Sequence, residues 1–551
     1  VTDSAVLAHP APRWGARAGL DRRAGLFALG GLAVFGVLVP VAVVVLSWLS
    51  PETEIWRHLA ATQLPRLLRN TAVLVVGVGM SVTLLGVSLA WCVVMYRFPG
   101  RAAFEWLLML PLAVPAYVMA FVLLGVFDFG GPLQSALRSA FGTAWGSVDV
   151  RGDISVVLVF SLVLYPYVYM LARSAFLSQS SETLEVARAL GCSHRQTFFR
   201  VALPMARPAI VAGVSLALME TLADFGAVAI FNFDTFTTAI YKSWFGFFNL
   251  QAAAQLASLL LLIVALTLVA ERRSRGGRQF VQGQRLQHRQ RLDLGTKRAW
   301  AVSAYCAVVL ALAFLLPVLQ LLLWAWGEGA AQLSERFFGL VEHSLTLAGL
   351  GALLTTAVAL VLAFCRRLAR RGRGVFALAQ LGYALPGSVL AVGIMLSFTF
   401  LDRQLLIPLQ GWLGLEPKPL LVGSIATLLA AYWIRFLAVA GGPLESALER
   451  IRPSLPEAAT SLGARPAERL WRIYLPMLRP GLLTAMVLVF VDVMKEMPAT
   501  LLLRPFGWDT LAVRIFEMTA EGQWQLAALP SVTLVLVGLV PVVVAIRRSA
   551  R

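Results

Sequence analysis

Glu185-Val186-Ala187-Arg188-Ala189-Leu190-Gly191 is followed, twelve residues past the glycine, by Leu203-Pro204, with Arg207-Pro208 just beyond. The pattern returns as Glu457-Ala458-Ala459-Thr460-Ser461-Leu462-Gly463, then Leu475-Pro476 and Arg479-Pro480, every position displaced by 272. A polar segment that keeps its internal spacing in a chain otherwise mostly apolar marks a surface expected to touch another protein.

Outward from this repeat, the chain is 551 residues long, 59% hydrophobic and only 14% charged. That is too little polar surface for a soluble globule and more apolar sequence than one core requires, so the chain reads as a polytopic membrane protein. The net charge of +18 does not point to nucleic acid. The basic residues fall in short clusters between apolar runs, the pattern of cytoplasmic loops under the positive-inside rule. Cys92, Cys192, Cys306 and Cys365 are scattered, as are the five histidines, and their spacing indicates neither a disulfide framework nor a zinc site.

Residues 1–24 carry Arg13, Arg17, Arg22 and Arg23 and read as a cytoplasmic tail. The apolar run Ala24–Leu49 follows, long enough to cross a ~30 Å hydrocarbon layer and too long for a signal-peptide core. Further spans are expected at 71–96, 104–126, 154–173, 208–231 and 251–270, then at 300–325, 344–365, 375–400, 420–440, 481–503 and 525–546. The all-α architecture is thus about twelve helices in two halves, 25–270 and 300–546, with a basic linker at 271–299 and a short tail at 547–551. Arg97 and Arg101, the Arg188–Arg207 group, the Arg366–Arg373 cluster and Arg547, Arg548 and Arg551 share one side. Both termini and both copies of the repeat are therefore expected in the cytoplasm. The linker, with nine basic residues from Arg272 to Arg298, reads as a solvated stretch near anionic headgroups.

The duplication extends further. Leu110–Pro115 answers Leu381–Pro386 at an offset of 271, Ala90-Trp91-Cys92 answers Ala363-Phe364-Cys365 at 273, and Phe233–Phe236 answers Trp508–Leu511 at 275. Six spans per half give both copies the same topology, related by a pseudo-two-fold along the membrane normal. A pathway on that axis would be lined by matching residues from both halves.

Within each repeat, two short helices joined by a turn are expected. Gly191 and Gly463 suit a left-handed helix end. Ser193 with Gln196, and Ser454 with Glu457, have capping-box spacing. Pro466 suits a first helical turn, while Leu203-Pro204 and its counterpart are expected to break the second helix before re-entry at Pro208. Apolar-plus-basic helices of this kind serve as interfacial anchors or as knobs for a partner's groove. The shared Glu, Gly and Pro positions favour a partner.

Glu-Ala-Ala, three residues, Gly and a later Leu-Pro resemble the coupling loop of permease subunits in binding-protein-dependent ABC importers. The resemblance spans nearly the whole chain, as two fused MetI-like permease domains, with Val186 departing where the second copy has Ala458. It implies an ATPase-docking set of Glu185, Ala187, Gly191, Leu203 and Pro204 with Glu457, Ala458, Ala459, Gly463, Leu475 and Pro476. It also implies two copies of an ABC ATPase carrying ATP and Mg, a substrate-binding protein, a bacterial inner-membrane location and no cofactor on this chain. Independently, none of Lys242, Lys297, Lys418 and Lys495 follows a glycine, so no P-loop is present. ATP hydrolysis is expected on another chain.

Two acids in each of spans five and eleven obey the same offset: Glu220 with Asp492, and Asp224 with Glu496. Acids four apart share a helix face, and Asp224 lies sixteen residues past Pro208, roughly 24 Å along a helix. Such residues cost on the order of 2.5–3.5 kcal/mol each on insertion scales and face a partner or a cavity. One reading is a structural ion pair in which Lys495 joins Asp492 or a neighbouring helix. The other is a path favouring a cationic substrate, where hard oxygen ligands suit Fe(III) and charge alone suits a polyamine. Leu110–Asp128, Asp224–Gly226, Asp234–Thr238 and Lys495–Thr500 resemble the fused iron(III) permease branch, with thiamine and polyamine importers as alternatives. A gradient-driven secondary transporter would also fit twelve spans with parallel halves. An integral-membrane enzyme lacks any nucleophile–base pair or ligand cluster.

Overall fold

The computed structural model describes residues 14–50, 53–142, 150–179, 181–275, 291–368, 374, 378–379, 382 and 385–549. The tail before Trp14, Arg278, Arg285 and Arg289 of the linker, Arg370, Arg371 and Arg373, and Leu381, Tyr383 and Ala384 lie outside the described residues.

Among the described residues, eleven helices are long and apolar enough to cross a membrane: Gly25–Leu49, Leu64–Met95, Ala116–Phe141, Asp153–Ser178, His194–Ala223, Leu250–Ser274, Thr296–Glu328, Glu335–Leu368, Gly387–Trp412, Ile425–Glu449 and Pro466–Lys495. A twelfth apolar helix, Ala528–Ser549, ends the described chain. The chain is an all-α polytopic membrane protein in two repeats. Among the described residues its one strand pair joins Tyr96–Arg97 in parallel to Leu292–Asp293, which ties the linker's end to the base of the second span.

Lipid tails are as apolar as leucine, so helices in a membrane associate through close packing at small residues. In the first half, Gly86 of the second span and Gly213 of the fifth grip the fourth span at Val168. A methyl on Gly86 would lie 2.6 Å from the Val168 Cβ, and one on Gly213 would lie 2.7 Å from its Cα. In the second half, Gly481 lets the eleventh span approach the tenth; a methyl there would meet the Ala447 Cβ at 2.7 Å and the Pro443 carbonyl oxygen at 3.1 Å.

The first span of each half is clasped to the other half. Gly36 leaves room for the Trp433 ring, Gly393 leaves room for the Pro40 carbonyl, and the Cys365 thiol donates to the Leu26 carbonyl at 3.3 Å. Reciprocally, Trp324 packs where Gly125 has no side chain, the Ser303 hydroxyl donates to the Pro99 carbonyl at 3.0 Å, and Ser88 and Tyr305 share a 2.7 Å hydrogen bond. The halves are therefore interlocked rather than placed side by side.

Three expected spans are broken, and a fourth, 375–400, is interrupted at Leu385 and Pro386 before the helix Gly387–Leu401. Instead of one helix over 104–126, Arg101–Leu107 is followed by a tight 3-10 turn at Leu110–Ala113 and a new helix at Ala116–Phe127. Pro111 and Pro115 have no N–H to donate and disfavour helical backbone in the residue before them. Instead of 208–231, the fifth span stops at Ala223 with Asp224 extended (φ −71°, ψ 138°), and Gly226–Ile230 begins anew. Instead of 481–503, the eleventh stops at Lys495 with Glu496 extended, and Pro498–Leu503 follows.

The break expected at Leu203-Pro204 is absent. A wide turn at Phe198–Ala202, closed by the Leu203 N–H on the Phe198 carbonyl, carries the helix through. Leu470–Tyr474 does the same before Pro476, with the Leu475 N–H on the Leu470 carbonyl. An i→i+5 turn relieves the clash between a proline ring and the carbonyl four residues back. The return limb of each repeat and the span it enters are therefore one helix.

Candidate functional site

Each repeat folds as a hairpin. Ser181–Ala189 ends at Gly191, whose φ of +85° only glycine adopts without strain. The Cys192 N–H then donates to the Ala187 carbonyl (3.1 Å) and the Gly191 N–H to the Arg188 carbonyl (2.9 Å). Ser454–Ser461 ends identically at Gly463 (φ +82°), with Ala464 on Ala459 (2.9 Å) and Gly463 on Thr460 (3.0 Å). Both are Schellman closures, which use up the orphan carbonyls at a helix end.

Ser193 and Gln196 form their capping box, with the Ser193 N–H donating to the Gln196 side chain (2.9 Å) and the Gln196 N–H to the Ser193 hydroxyl (3.3 Å). Ser454 and Glu457 do not: the helix already begins at Ser454, and the Glu457 N–H donates to the Pro453 carbonyl (3.3 Å). Pro453 starts the turn one residue earlier, which places Ser454 inside the helix. The capping carboxylate of the second copy is Glu468, which accepts from the Arg465 N–H (3.0 Å) with Pro466 at the first helical position.

Ala187 is buried beneath the hairpin, while Glu185, Val186, Glu457 and Ala458 face outward. The tips carry two apolar pairs that obey the 272 offset: Leu190 and Leu462, exposed by 81% and 87%, and Phe199 and Trp471. The leucines are absent from the docking set read from the sequence, although their identity at the repeat spacing was a usable signal. At the root, the Gln179 side chain donates to the Ala202 carbonyl (2.9 Å), and Arg367 donates to the carbonyls of Leu448 and Ile451.

A second feature lies between the halves. A cavity of about 430 Å³ is lined by all four acids, Glu220, Asp224, Asp492 and Glu496. Its wall repeats the 272 offset: Val163 faces it with Arg435, Tyr167 with Val439, Ala223 with Lys495, and Gly226 with Pro498. The acids are brought together because the fifth and eleventh spans unwind beside one another. At each break the carboxylate accepts from an N–H in the first turn of the next helix, Asp224 from Ala227 (2.8 Å) and Glu496 from Ala499 (2.9 Å).

Two cations break the symmetry, and both belong to the second half. Arg435 Nε lies 3.0 Å from Glu496 Oε2, with both side chains nearly buried. The Arg435 guanidinium also donates to the Leu385 carbonyl (3.4 Å). Lys495 reaches across to donate to the Leu112 carbonyl at 3.0 Å rather than pairing with Asp492. Among the described residues, no basic nitrogen lies within 4.0 Å of the Asp492 carboxylate. Gly538 makes the crossing possible, since a methyl there would lie 2.9 Å from Lys495 Nζ and 2.5 Å from the Ala113 carbonyl oxygen. Each cation thus donates to a backbone carbonyl, Lys495 to one in the first half and Arg435 to one in the second. Arg435 escaped the sequence reading because the first half has Val163 there.

Tyr167 and Lys495 lie in the field of Glu220 and Asp492, and Tyr117 in that of Asp224 and Glu496, while Arg435 pairs directly with Glu496. Among the described residues, no three His, Cys, Asp or Glu side chains converge to hold a metal ion. The cavity carries an acidic wall without being a chelating cage.

The family model for the binding-protein-dependent transport system inner membrane component matches residues 82–272 and again 355–550. A Fe(3+)-transport system permease protein of Haemophilus influenzae is 29% identical over 489 residues, covering 87% of this chain and 89% of its own. A ferric transport system permease protein of Actinobacillus pleuropneumoniae is 24% identical over 507 residues, covering 87% and 70%. The sulfate transport system permease protein CysT of Salmonella typhimurium is 30% identical over 208 residues, which is 36% of this chain and 72% of that one. With two matched segments, two interlocked halves and a cavity on the axis between them, this chain belongs to the family of binding-protein-dependent transport system inner membrane components.

Proposed function

We propose that this permease imports ferric iron delivered by a substrate-binding protein, with two ATPase subunits docked on the hairpins at 181–202 and 454–474. The observation that carries the cation is the cavity: four carboxylates from both halves face two protein cations, a net negative wall on the pseudo-axis. Hard oxygen donors suit a small, highly charged ion, and the full-length relatives named above are ferric permeases. A wall that attracts without chelating suits transit, where an ion must enter and also leave. Both termini and both hairpins face the cytoplasm in this reading. Closure of the ATPases on ATP moves the hairpins, and because each return limb is continuous with the fifth or eleventh span, the movement reaches the acids directly. ATP and Mg belong to the ATPases.

Proteoliposomes containing the chain, its ATPase and a loaded binding protein test this. ATP-dependent uptake of radiolabelled ferric iron is expected, with no competition from thiamine or spermidine. Uptake driven by an ion gradient with the ATPase omitted would overturn the importer mechanism. Uptake of spermidine or thiamine in place of iron would overturn the substrate.

A further inference from the structure

The two hairpins are held at their roots in different ways. Near the end of the second span, the Trp91 ring centre lies 4.7 Å from that of Phe198 and 5.3 Å, edge-on, from that of Phe176. Phe198 opens the wide turn of the first hairpin, supplies the carbonyl that closes it and precedes the exposed Phe199. The Trp91 indole N–H donates to the Tyr96 hydroxyl at 3.2 Å. The ring is therefore also held by the residue whose backbone pairs with Leu292. In the second half, 273 residues on from Trp91, Phe364 meets Tyr474 edge-on at 5.1 Å, and the Arg367 guanidinium lies 5.7 Å from the same tyrosine ring. A phenylalanine has no side-chain N–H to donate, and among the described residues no strand pairs there.

The strand that holds Tyr96 is fixed to the second half. Gly295, at φ +71° and ψ 158°, occupies a region open essentially to glycine alone and turns the strand directly into Thr296, the first residue of the seventh span. The Gly295 N–H donates to the Asp293 carboxylate at 3.3 Å, which stiffens that turn. The seventh span is fastened to the same stretch a second time, by Ser303 on the Pro99 carbonyl. We infer that Leu292–Asp293 is a clasp through which the seventh span positions the first hairpin, with Tyr96 and Trp91 as the positioning residues, and that the second hairpin lacks this control. The inference rests on the reading above that ATPase subunits dock on the hairpins. Movement of the second half passes from the Leu292 backbone to Tyr96, then through the indole to Phe198 and the wide turn. Two docked ATPase subunits therefore meet hairpins of unequal freedom. A pair of two-residue strands is marginal on its own, so the hold depends on Leu292 packing against the core.

Leu292→Pro in the full chain tests this, because proline has no N–H to give a strand pair. Hydrogen exchange is read at peptides covering 181–202 and 454–474, with and without the ATPase. In the wild type both are expected to gain protection when the ATPase is added; protection of neither would overturn the docking reading and this inference with it. In the variant complex, exchange across 181–202 is expected to rise about five-fold, the size of one net hydrogen bond, with 454–474 as in the wild type. Any other pattern, including an equal rise in both hairpins or none in either, overturns the clasp and leaves docking intact. If that variant assembles poorly, the side-chain part of the path is read alone. Trp91→Phe installs the residue type that the second half carries, and Tyr96→Phe removes the other end of the same hydrogen bond. Each is expected to raise both the exchange across 181–202 and the ATP hydrolysis measured without binding protein about five-fold. The double variant is expected to match the singles, as for two ends of one contact. Additive effects, or wild-type values in both singles, overturn the inference.

Discussion

Arg435 and Glu496 meet at 3.0 Å with 12% and 4% of their side chains exposed, at a place where the first half of the molecule has Val163 and Asp224. The pair sits on the cavity wall, and it is a charged contact that the first half lacks.

Removing one member strands the other in a low-dielectric site. Glu496→Gln or Arg435→Met alone is expected to destabilise the folded chain by about 3–5 kcal/mol, while the double variant recovers most of that loss. Unfolding midpoints of the three proteins in one detergent check it. A double variant no more stable than the worse single one would show that the two charges are not paired energetically.

Neutralising Glu220 and Asp492 has a different consequence. Glu220→Gln with Asp492→Asn leaves Arg435–Glu496 intact and removes the carboxylates facing Lys495. Transport is expected to fall far more than assembly, read as uptake per copy of correctly assembled complex. Loss of assembled protein in proportion to uptake would instead assign these acids a structural role.

At the hairpins, Glu185→Ala and Glu457→Ala are expected to reduce ATPase copurification, and Leu190→Ser with Leu462→Ser to reduce it further, since the exposed leucines stand at both tips. Gly463→Val forces a branched residue into a left-handed conformation, costing roughly 1–2 kcal/mol locally, and is expected to weaken docking on one side only. Wild-type copurification for the leucine pair would remove the tips from the docking surface.

Close packing at two glycines is equally exposed to test. Gly213→Ala places a methyl 2.7 Å from the Val168 Cα, and Gly538→Ala places one 2.5 Å from the Ala113 carbonyl oxygen. Both neighbours are backbone, which cannot rotate away, so each is expected to cost about 1–3 kcal/mol. Gly538→Ala should also cut transport in the surviving fraction, because it crowds Lys495. Gly349→Ala, with open space around it, is the control and should be close to wild type in both assays.

The sequence by itself determined the class, the repeat and most of the matched positions. Apolar runs long enough to span a bilayer are local features. A spacing of 272 that holds for Gly191 and Gly463, and for Asp224 and Glu496, needs no coordinates to detect. The left-handed glycines and the Ser193 cap were legible for the same reason, since each depends on a few neighbouring residues. What only the tertiary structure decided lies where the repeat fails or where contacts are long-range. Arg435 and Tyr117 have no counterpart of their own kind at the repeat spacing, so the duplication drew no attention to them. The Ser454 cap failed because Pro453 shifted the helix start by one residue, and the Pro204 break failed because a wide turn absorbed the ring. Lys495 chose a carbonyl 383 positions away over an acid one turn distant, because Pro115, three residues past Leu112 in the tight turn, has no N–H to offer that carbonyl and the interlocked halves bring it within reach.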